Sequence, residues 1–378
     1  MIYLDNSATT RIKPKTVLSA VNQGLTKFSA NGGRSGHTLS IETAIAINLV
    51  RQKVQKFFHV SKIEHVLFSG SCTESLNLAI LGSCVKNGHV IATINEHNSV
   101  LRPLYHLKQH NLIDLSIAEP EKEDMLCWSD LEKHLKSNTY LICVNHVSNV
   151  DGMIATIKEI GKECKKRNIM LLVDAAQSAG HQKIDMQEDC IDFLAIAPHK
   201  GLYAPQGVGL LCISDTANLK PIKFGGTGTD SILTTQPTSA PECYESGTLP
   251  TPAILGLGAG IDFVEENKSD ITEKIEDLST FLNFELRKIN NVIVYTHPNN
   301  SNGVIGFNIK NRSSEEVSNI LNESYKICCR SGLHCAPLKH AFLNTVDTGI
   351  VRISISYFNN FGDIITLLKA VKKLAKDN

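Results

Sequence analysis

Apolar residues along this 378-residue chain fall in short blocks separated by stretches of helical spacing. The blocks at His65–Phe68, Val90–Thr93, Leu141–Val144, Ile169–Val173, Phe193–Ala197 and Gly209–Ile213 carry apolar side chains at successive positions, which predicts strands buried on both faces. Between them, Glu74–Leu81 and Thr156–Arg167 space their apolar residues for one helix face; in the second, Ile157, Ile160 and Cys164 align. Strands alternating with helices imply βαβ units and a mostly parallel sheet covered on both sides. The pattern runs from about residue 15 to about residue 250 and then changes. Thr251–Glu265 and Asp270–Lys288 read as helices, Val304–Ile309 as a strand, and Ser313 with Glu316 as a capping box that opens a further helix. Val351–Ser356 reads as a strand and Asp363–Ala375 as an amphipathic closing helix. The expected organisation is α/β, with a large domain over residues 15–250 and a smaller α+β domain made of residues 1–14 and 251–378.

Composition narrows this picture by exclusion. Lysine plus arginine number 38, as do aspartate plus glutamate, so no broad basic face for nucleic acid is expected. No apolar run reaches the roughly 18–20 residues of a membrane span. Met1-Ile-Tyr-Leu-Asp-Asn6 lacks the basic and apolar regions of a secretory leader. A cytoplasmic protein without a membrane partner is expected. The eleven cysteines form no CxxC pair, so free thiols rather than disulfides are expected.

Ligands of open parallel sheets sit beyond the carboxyl ends of the strands, so the polar residues after each apolar block are the candidates. Ser69-Gly70-Ser71-Cys72-Thr73-Glu74 leads into a helix and is either an anion cradle or an ordinary N-cap. His97 follows the second block and either stacks on a flat ring or lies on a loop. Asn149 follows the third, as a donor to a ring oxygen or as a turn residue. Asp174 ends the fourth; it is either solvated or met by a cationic donor, because a bare buried carboxylate is costly. Lys200 follows the fifth, as a surface charge or an imine-forming amine. The combination is more telling than its parts. An anion cradle, a strand-end aspartate and a strand-end lysine about 26 residues later are the phosphate grip, ring-nitrogen partner and reactive amine of a pyridoxal phosphate enzyme. No GxGxxG or GxxxxGK[ST] motif competes with this reading.

Over nearly its whole length the chain resembles the class V aminotransferase group of fold-type I pyridoxal phosphate enzymes, and within it the Suf-type (group II) cysteine desulfurases and selenocysteine lyases. The segments that carry the resemblance are Tyr3–Thr10, Phe68–Asn77, Glu96-His97, His146–Asn149, Asp174–Gln177, His199-Lys200, Glu245–Pro250, Val351-Arg352 and the loop Cys329–Pro337 around Cys335. It implies a mostly parallel seven-stranded sheet between helices, pyridoxal 5'-phosphate as cofactor, and a homodimer. It implies that Lys200, Cys335 and His97 are catalytic. Cofactor contacts are implied for Cys72, Thr73, His97, Asn149, Asp174, Gln177, His199, Lys200 and Thr227, the last reaching the neighbouring subunit's phosphate. Arg352 and Asn149 would hold the substrate carboxylate, and no metal is implied. The implied reaction turns L-cysteine into L-alanine, leaves a persulfide on Cys335 and passes its sulfur to an acceptor protein or small molecule. L-selenocysteine is the alternative substrate; a class V aminotransferase and a scaffold without turnover are the alternative activities. Desulfuration needs a thiolate, and Arg330 and His334 are the neighbours in sequence that suit one.

Three positions depart from the family pattern. Ala197 stands where a serine is usual, Cys72 where many relatives have threonine, and Leu333 where many have a second histidine. The first two predict a weaker phosphate grip, which the glycine-rich stretch Gly225–Thr229 is expected to offset. A zinc site from Cys328, Cys329, His334 and Cys335 fits no common finger spacing, and the first two read as buried strand residues.

Overall fold

The computed structural model describes residues 1–33, 35–122, 124–229 and 231–376. From the N-terminus run β1 (Ile2–Tyr3), α1 (Lys15–Leu25), α2 (Thr38–Phe58), β2 (Val66–Ser69), α3 (Cys72–Gly82), β3 (Gly88–Thr93), α4 (Asn98–Gln109) and β4 (Ile113–Ala118). There follow β5 (Met125–Leu126), α5 (Trp128–Glu132), β6 (Thr139–Asn145), β7 (Ile154–Ala155), α6 (Ile157–Lys166), β8 (Met170–Asp174), β9 (Phe193–Ile196) and β10 (Gly209–Ile213). Among the described residues, seven strands form the main sheet in the order β2-β10-β9-β8-β6-β3-β4. Its pairs are parallel except that β10 runs antiparallel to both β2 and β9. Residues 197–208, which join β9 to β10, contain no helix to make the crossover that parallel pairing requires.

The apolar blocks become strands because successive side chains point into two different cores. On β6, Leu141 and Cys143 pack on one side and Ile142 and Val144 on the other. On β8, Leu172 opposes Leu171 and Val173 in the same way. Helices α3 and α4 cover one side, and α2 and α6 the other. All eleven cysteines are free, and Cys143 and Cys212 sit in these cores as small apolar residues.

The C-terminal part contains α7 (Thr251–Glu266), α8 (Lys268–Arg287), β11 (Val292–Val294), β12 (Val304–Ile309), α9 (Ser314–Tyr325), β13 (Ile327–Cys328), α10 (Pro337–Phe342), β14 (Val351–Ser354) and α11 (Phe361–Lys376). Strands β11, β12 and β14 form a small antiparallel sheet. It packs on α8, α9 and α11 through Leu278, Leu282, Val317, Leu321, Leu367 and Val371. The chain start joins this part, since β1 pairs with β13 and Leu4 lies in its core. Helix α7 faces the other way: Ile254, Leu257, Ile261 and Val264 lie in the core of the main sheet, as do Ile271 and Ile275 at the start of α8. The change of core therefore falls inside α8, between Ile275 and Leu278, rather than at residue 251. Among the described residues no helix is long and apolar enough to cross a membrane.

Candidate active site

Strands β2, β3, β6, β8 and β9 end around one cavity of about 120 Å³, lined by Cys72, Thr73, His97, Asn149, Asp174, Gln177, Ala197, His199 and Lys200 among others. Eight of the sequence candidates thus meet at the predicted edge of the sheet. Ser71 caps α3 by accepting from the Glu74 amide at 3.2 Å. The first amides of α3 have no acceptor within the helix, which is the arrangement that receives an anion. Strand β10 runs so close behind this turn that a Cβ on Gly209 would overlap the Ser71 backbone. Gly209→Ala is therefore expected to displace the turn and weaken cofactor binding about tenfold or more, by the usual cost of overpacking. Titration of cofactor into the variant measures this, and native affinity would contradict it. Glu245 steadies the same region: it holds Arg51 by two 2.8 Å bonds and accepts from the Phe68 amide at 2.7 Å.

Asp174 is buried at the end of β8, where it accepts from the Ala176 amide at 2.9 Å and from the Cys72 thiol at 3.9 Å. Burial raises its carboxyl above the ordinary range, opposed by the Ala176 amide and by Lys200. Burial likewise pushes the Cys72 thiol well up, so it stays protonated. Lys200 lines the same cavity, and burial lowers its ammonium; Asp174 opposes this, while Arg352 and Arg330 add to it. The turn before it is held from below. The His199 carbonyl accepts from Thr10 Oγ1 at 2.9 Å and from the Lys13 ammonium at 2.9 Å, and Thr10 Oγ1 also reaches the Lys200 carbonyl at 3.1 Å.

His97 caps α4, its Nδ1 accepting from the Ser99 amide at 3.1 Å. With Nδ1 used as an acceptor, the proton of the neutral ring sits on Nε2. Ser99 Oγ lies 2.9 Å from His97 Nδ1 and 2.8 Å from Thr73 Oγ1, so it links the histidine to the helix start. Sequence reasoning passed over Ser99; its one signal is a hydroxyl two residues into a helix capped by a candidate histidine.

Cys335 does not line the cavity but is tied to it. Asn149 Nδ2 donates to the His334 carbonyl at 2.7 Å, and the Asn98 amide donates to the Cys335 carbonyl at 2.7 Å. Arg330 Nη2 donates to Cys335 Sγ at 3.7 Å. His334 has a different part from the one its position suggests. It is buried, its Nε2 donates to the Ile350 carbonyl at 2.9 Å, and burial pushes it down to about 2. A ring kept neutral by burial and fixed in this way shapes the turn. His37 similarly caps α2, accepting from the Ser40 amide at 3.2 Å.

Arg352 and Thr227 are not among the residues that line the cavity, although Arg352 is bonded to one that does. Arg352 is buried, with Nη2 on Asp5 at 2.7 Å, Nη1 on the Asn149 carbonyl at 3.1 Å and Nε unpartnered among the described residues. Thr227 lies in an exposed loop, on a separate groove beside Arg51 and Glu245.

Several histidines share one electrostatic consequence. Burial pushes His97, His146, His181 and His199 down to about 4, and His334 to about 2. In an unfolded chain they titrate near ~6.5. Below that pH the unfolded chain takes up protons that the folded chain refuses, so stability present above pH ~6.5 is lost as the pH falls toward ~4. Glu96, raised to about 8 by burial, acts in the opposite sense, as do the raised Asp174 and Asp189. Burial lowers His65, His89 and His340 as well, so eight histidines oppose three carboxyls and Tm is expected to fall between pH ~6.5 and ~4.5. Thermal melts across that range check this, and a flat or rising Tm contradicts it.

The residues present fit pyridoxal 5'-phosphate. Among the described residues Asp174 is a buried carboxylate lacking a cationic hydrogen-bond donor, Lys200 is a partly buried amine on the same cavity, and the first amides of α3 have no acceptor within the helix. Asn145 Oδ1 and Asn149 Oδ1, on two residues lining the cavity, are also unpartnered among the described residues. Such a set, at the strand ends of a mostly parallel sheet, defines a fold-type I pyridoxal phosphate enzyme. The chain belongs to the class-V aminotransferase family, whose model matches residues 2–367. It is 33 % identical to a probable cysteine desulfurase of Pyrococcus abyssi, across 100 % of this chain and 94 % of that protein. A probable cysteine desulfurase of Methanothermobacter thermautotrophicus is 30 % identical, across 99 % of this chain and 94 % of that protein. The apo structure of a cysteine desulfurase from Thermococcus onnurineus NA1 aligns with a TM-score of 0.93 at 32 % identity, covering 100 % of this chain and 95 % of that one.

Proposed function

We propose that the chain is a pyridoxal phosphate-dependent cysteine desulfurase that carries sulfur from L-cysteine on Cys335 to an acceptor, leaving L-alanine. The observation behind this reading is a single cavity holding Lys200, Asp174 and His97, with two of its flanking residues, Asn149 and Asn98, hydrogen-bonded to the Cys335 turn. Relatives named as cysteine desulfurases, matched end to end, support it.

When bound, the cofactor supplies an aldehyde for an amine and an electron-poor ring that takes up the pair released at Cα. Asp174 would hold the protonated ring nitrogen, and Thr73, Cys72 and the amides of α3 the phosphate. His97 would lie against the ring, with Gln177 and His199 beside it. Lys200 would hold the aldehyde and, its ammonium disfavoured by burial, accept the Cα proton as a free amine. Asn149 and Arg352 would receive the substrate carboxylate, with Arg352 sharing its guanidinium between that group and Asp5. His97 would carry a proton through Nε2. Cys335 attacks as a thiolate: a bond forms between its sulfur and the substrate sulfur while the Cβ–Sγ bond breaks. The bonding pair stays with the substrate carbon, which takes up a proton to become L-alanine. Arg330 places a positive charge beside the resulting persulfide. No external oxidant is needed for this balance.

The test is release of L-alanine and, with a thiol reductant present, sulfide in equal amounts from L-cysteine. An aminotransferase would release neither. L-selenocysteine in parallel sets the preference, and turnover of it alone would make the chain a selenocysteine lyase.

A homodimer in the cytoplasm belongs to the same reading. Ile41, Ile45 and Leu49 form an exposed stripe on α2, and Phe224, Ile232 and Leu233 are exposed apolar side chains of the segment that carries Thr227. Exposed apolar side chains of this kind are what an interface between copies would cover, and Thr227 from a second copy would then reach the phosphate. Thr227→Ala is expected to weaken cofactor binding about tenfold, the worth of one bond to a charged group. An unchanged cofactor titration contradicts that assignment.

A further inference from the structure

Four residues past Cys335, on α10, Lys339 is completely buried, and its ammonium meets Asp151 at 2.7 Å. Asp151 lies two residues past Asn149, in the segment between β6 and β7, and its other oxygen caps the Met153 amide at 3.2 Å. Met153 Sδ receives the Lys339 ammonium at 3.8 Å and the Asn95 side chain at 3.3 Å, and Asn95 is two residues from His97. One buried ion pair thus joins the segment behind the thiol to the segment that lines the cavity.

A buried ion pair is a poor source of net stability, since two apolar side chains in its place do as well, but removing one partner strands a charge. Its effect here is on geometry. His334 and Cys335 both have left-handed backbones, with φ of +48° and +59°, which residues bearing a Cβ adopt only when their surroundings hold them. Apolar support for the turn is thin: Val150, Ala336 and Ile350 form the cluster beneath it, with Tyr295 and Leu343 at its edge. We propose that the Lys339–Asp151 pair is the anchor that holds the strained Cys335 turn against the active site, which makes both positioning residues for sulfur transfer. Neither touches the reacting atoms. The inference rests on Cys335 as the sulfur carrier, but the labelling described next reads the turn itself.

The experiment compares holoenzyme of wild type, Lys339→Met, Asp151→Asn and the double variant. Each is pulsed with iodoacetamide, and peptide mass spectrometry follows Cys335 against the partly exposed Cys190 as internal standard. Each single variant strands one buried charge, so Cys335 labelling is expected to rise about tenfold with Cys190 unchanged, as for a local opening. L-alanine release should fall by a similar factor in kcat while KM and cofactor content stay near wild type. The double variant strands no charge but lacks the pair altogether, so its labelling should remain at least about threefold above wild type. Folded single variants with unchanged labelling and kcat would overturn the proposal, and so would a double variant labelled at the wild-type rate. Should a single variant yield no holoenzyme, the double variant decides alone, on the same threefold criterion. Loss of this anchor and loss of the desulfurase reading are separable: desulfuration that survives Cys335→Ala sinks the reading and leaves the labelling result intact.

Discussion

Replacing Lys200 with alanine is expected to lower kcat for L-cysteine by about 10,000-fold or more, the scale on which covalent catalytic groups are lost. The effect is large because the other amine at this turn is already engaged. Lys13, also close to this turn, spends its ammonium on Thr10 Oγ1 at 2.7 Å and on the His199 carbonyl at 2.9 Å. The cavity itself should survive, since Asp174, His97 and the start of α3 are positioned by the Ala176, Ser99 and Glu74 amides rather than by Lys200. Cofactor is therefore expected to bind Lys200→Ala without the visible absorption of the lysine-held form. Kinetics and an absorbance spectrum check both parts together. Wild-type turnover in that variant would remove lysine from the mechanism.

Cys335→Ala is expected to lower alanine and sulfide release by about 1,000-fold or more, while L-cysteine still changes the cofactor spectrum at wild-type concentrations. The two results separate because Cys335 acts after the substrate is held: its side chain lies outside the cavity, joined to it through Asn149 and Asn98. A variant that keeps full alanine and sulfide release would contradict Cys335 as the group that takes the sulfur.

The main sheet was legible because its central strands are covered on both sides, which leaves consecutive apolar residues such as Leu171, Leu172 and Val173. The strand-end residues were legible for the same reason, as polar residues directly after such runs. Strand β4 was not, because it lies at the edge of the sheet and Asp114 faces outward between two apolar neighbours. The two-residue strands β1 and β13 are too short for any period to show. Helix α7 was read correctly as a helix but grouped with the wrong core, because its apolar face does not say which partner it meets. The hardest features to read were contacts between distant segments. Nothing near Arg352 announces that Asp5, 347 residues away, holds its guanidinium, or that a lysine on a six-residue helix is wholly buried. Thr227 was placed from resemblance alone, and within one chain it stays on a different groove.

One experiment bears on sulfur transfer at its source. Holoenzyme mixed with L-cysteine in the absence of any reductant, then digested under conditions that preserve persulfides, should give a Cys335 peptide heavier by one sulfur atom, with the other ten cysteines unchanged. A Cys335 peptide of unaltered mass alongside stoichiometric L-alanine would contradict the assignment of that thiol as the sulfur carrier.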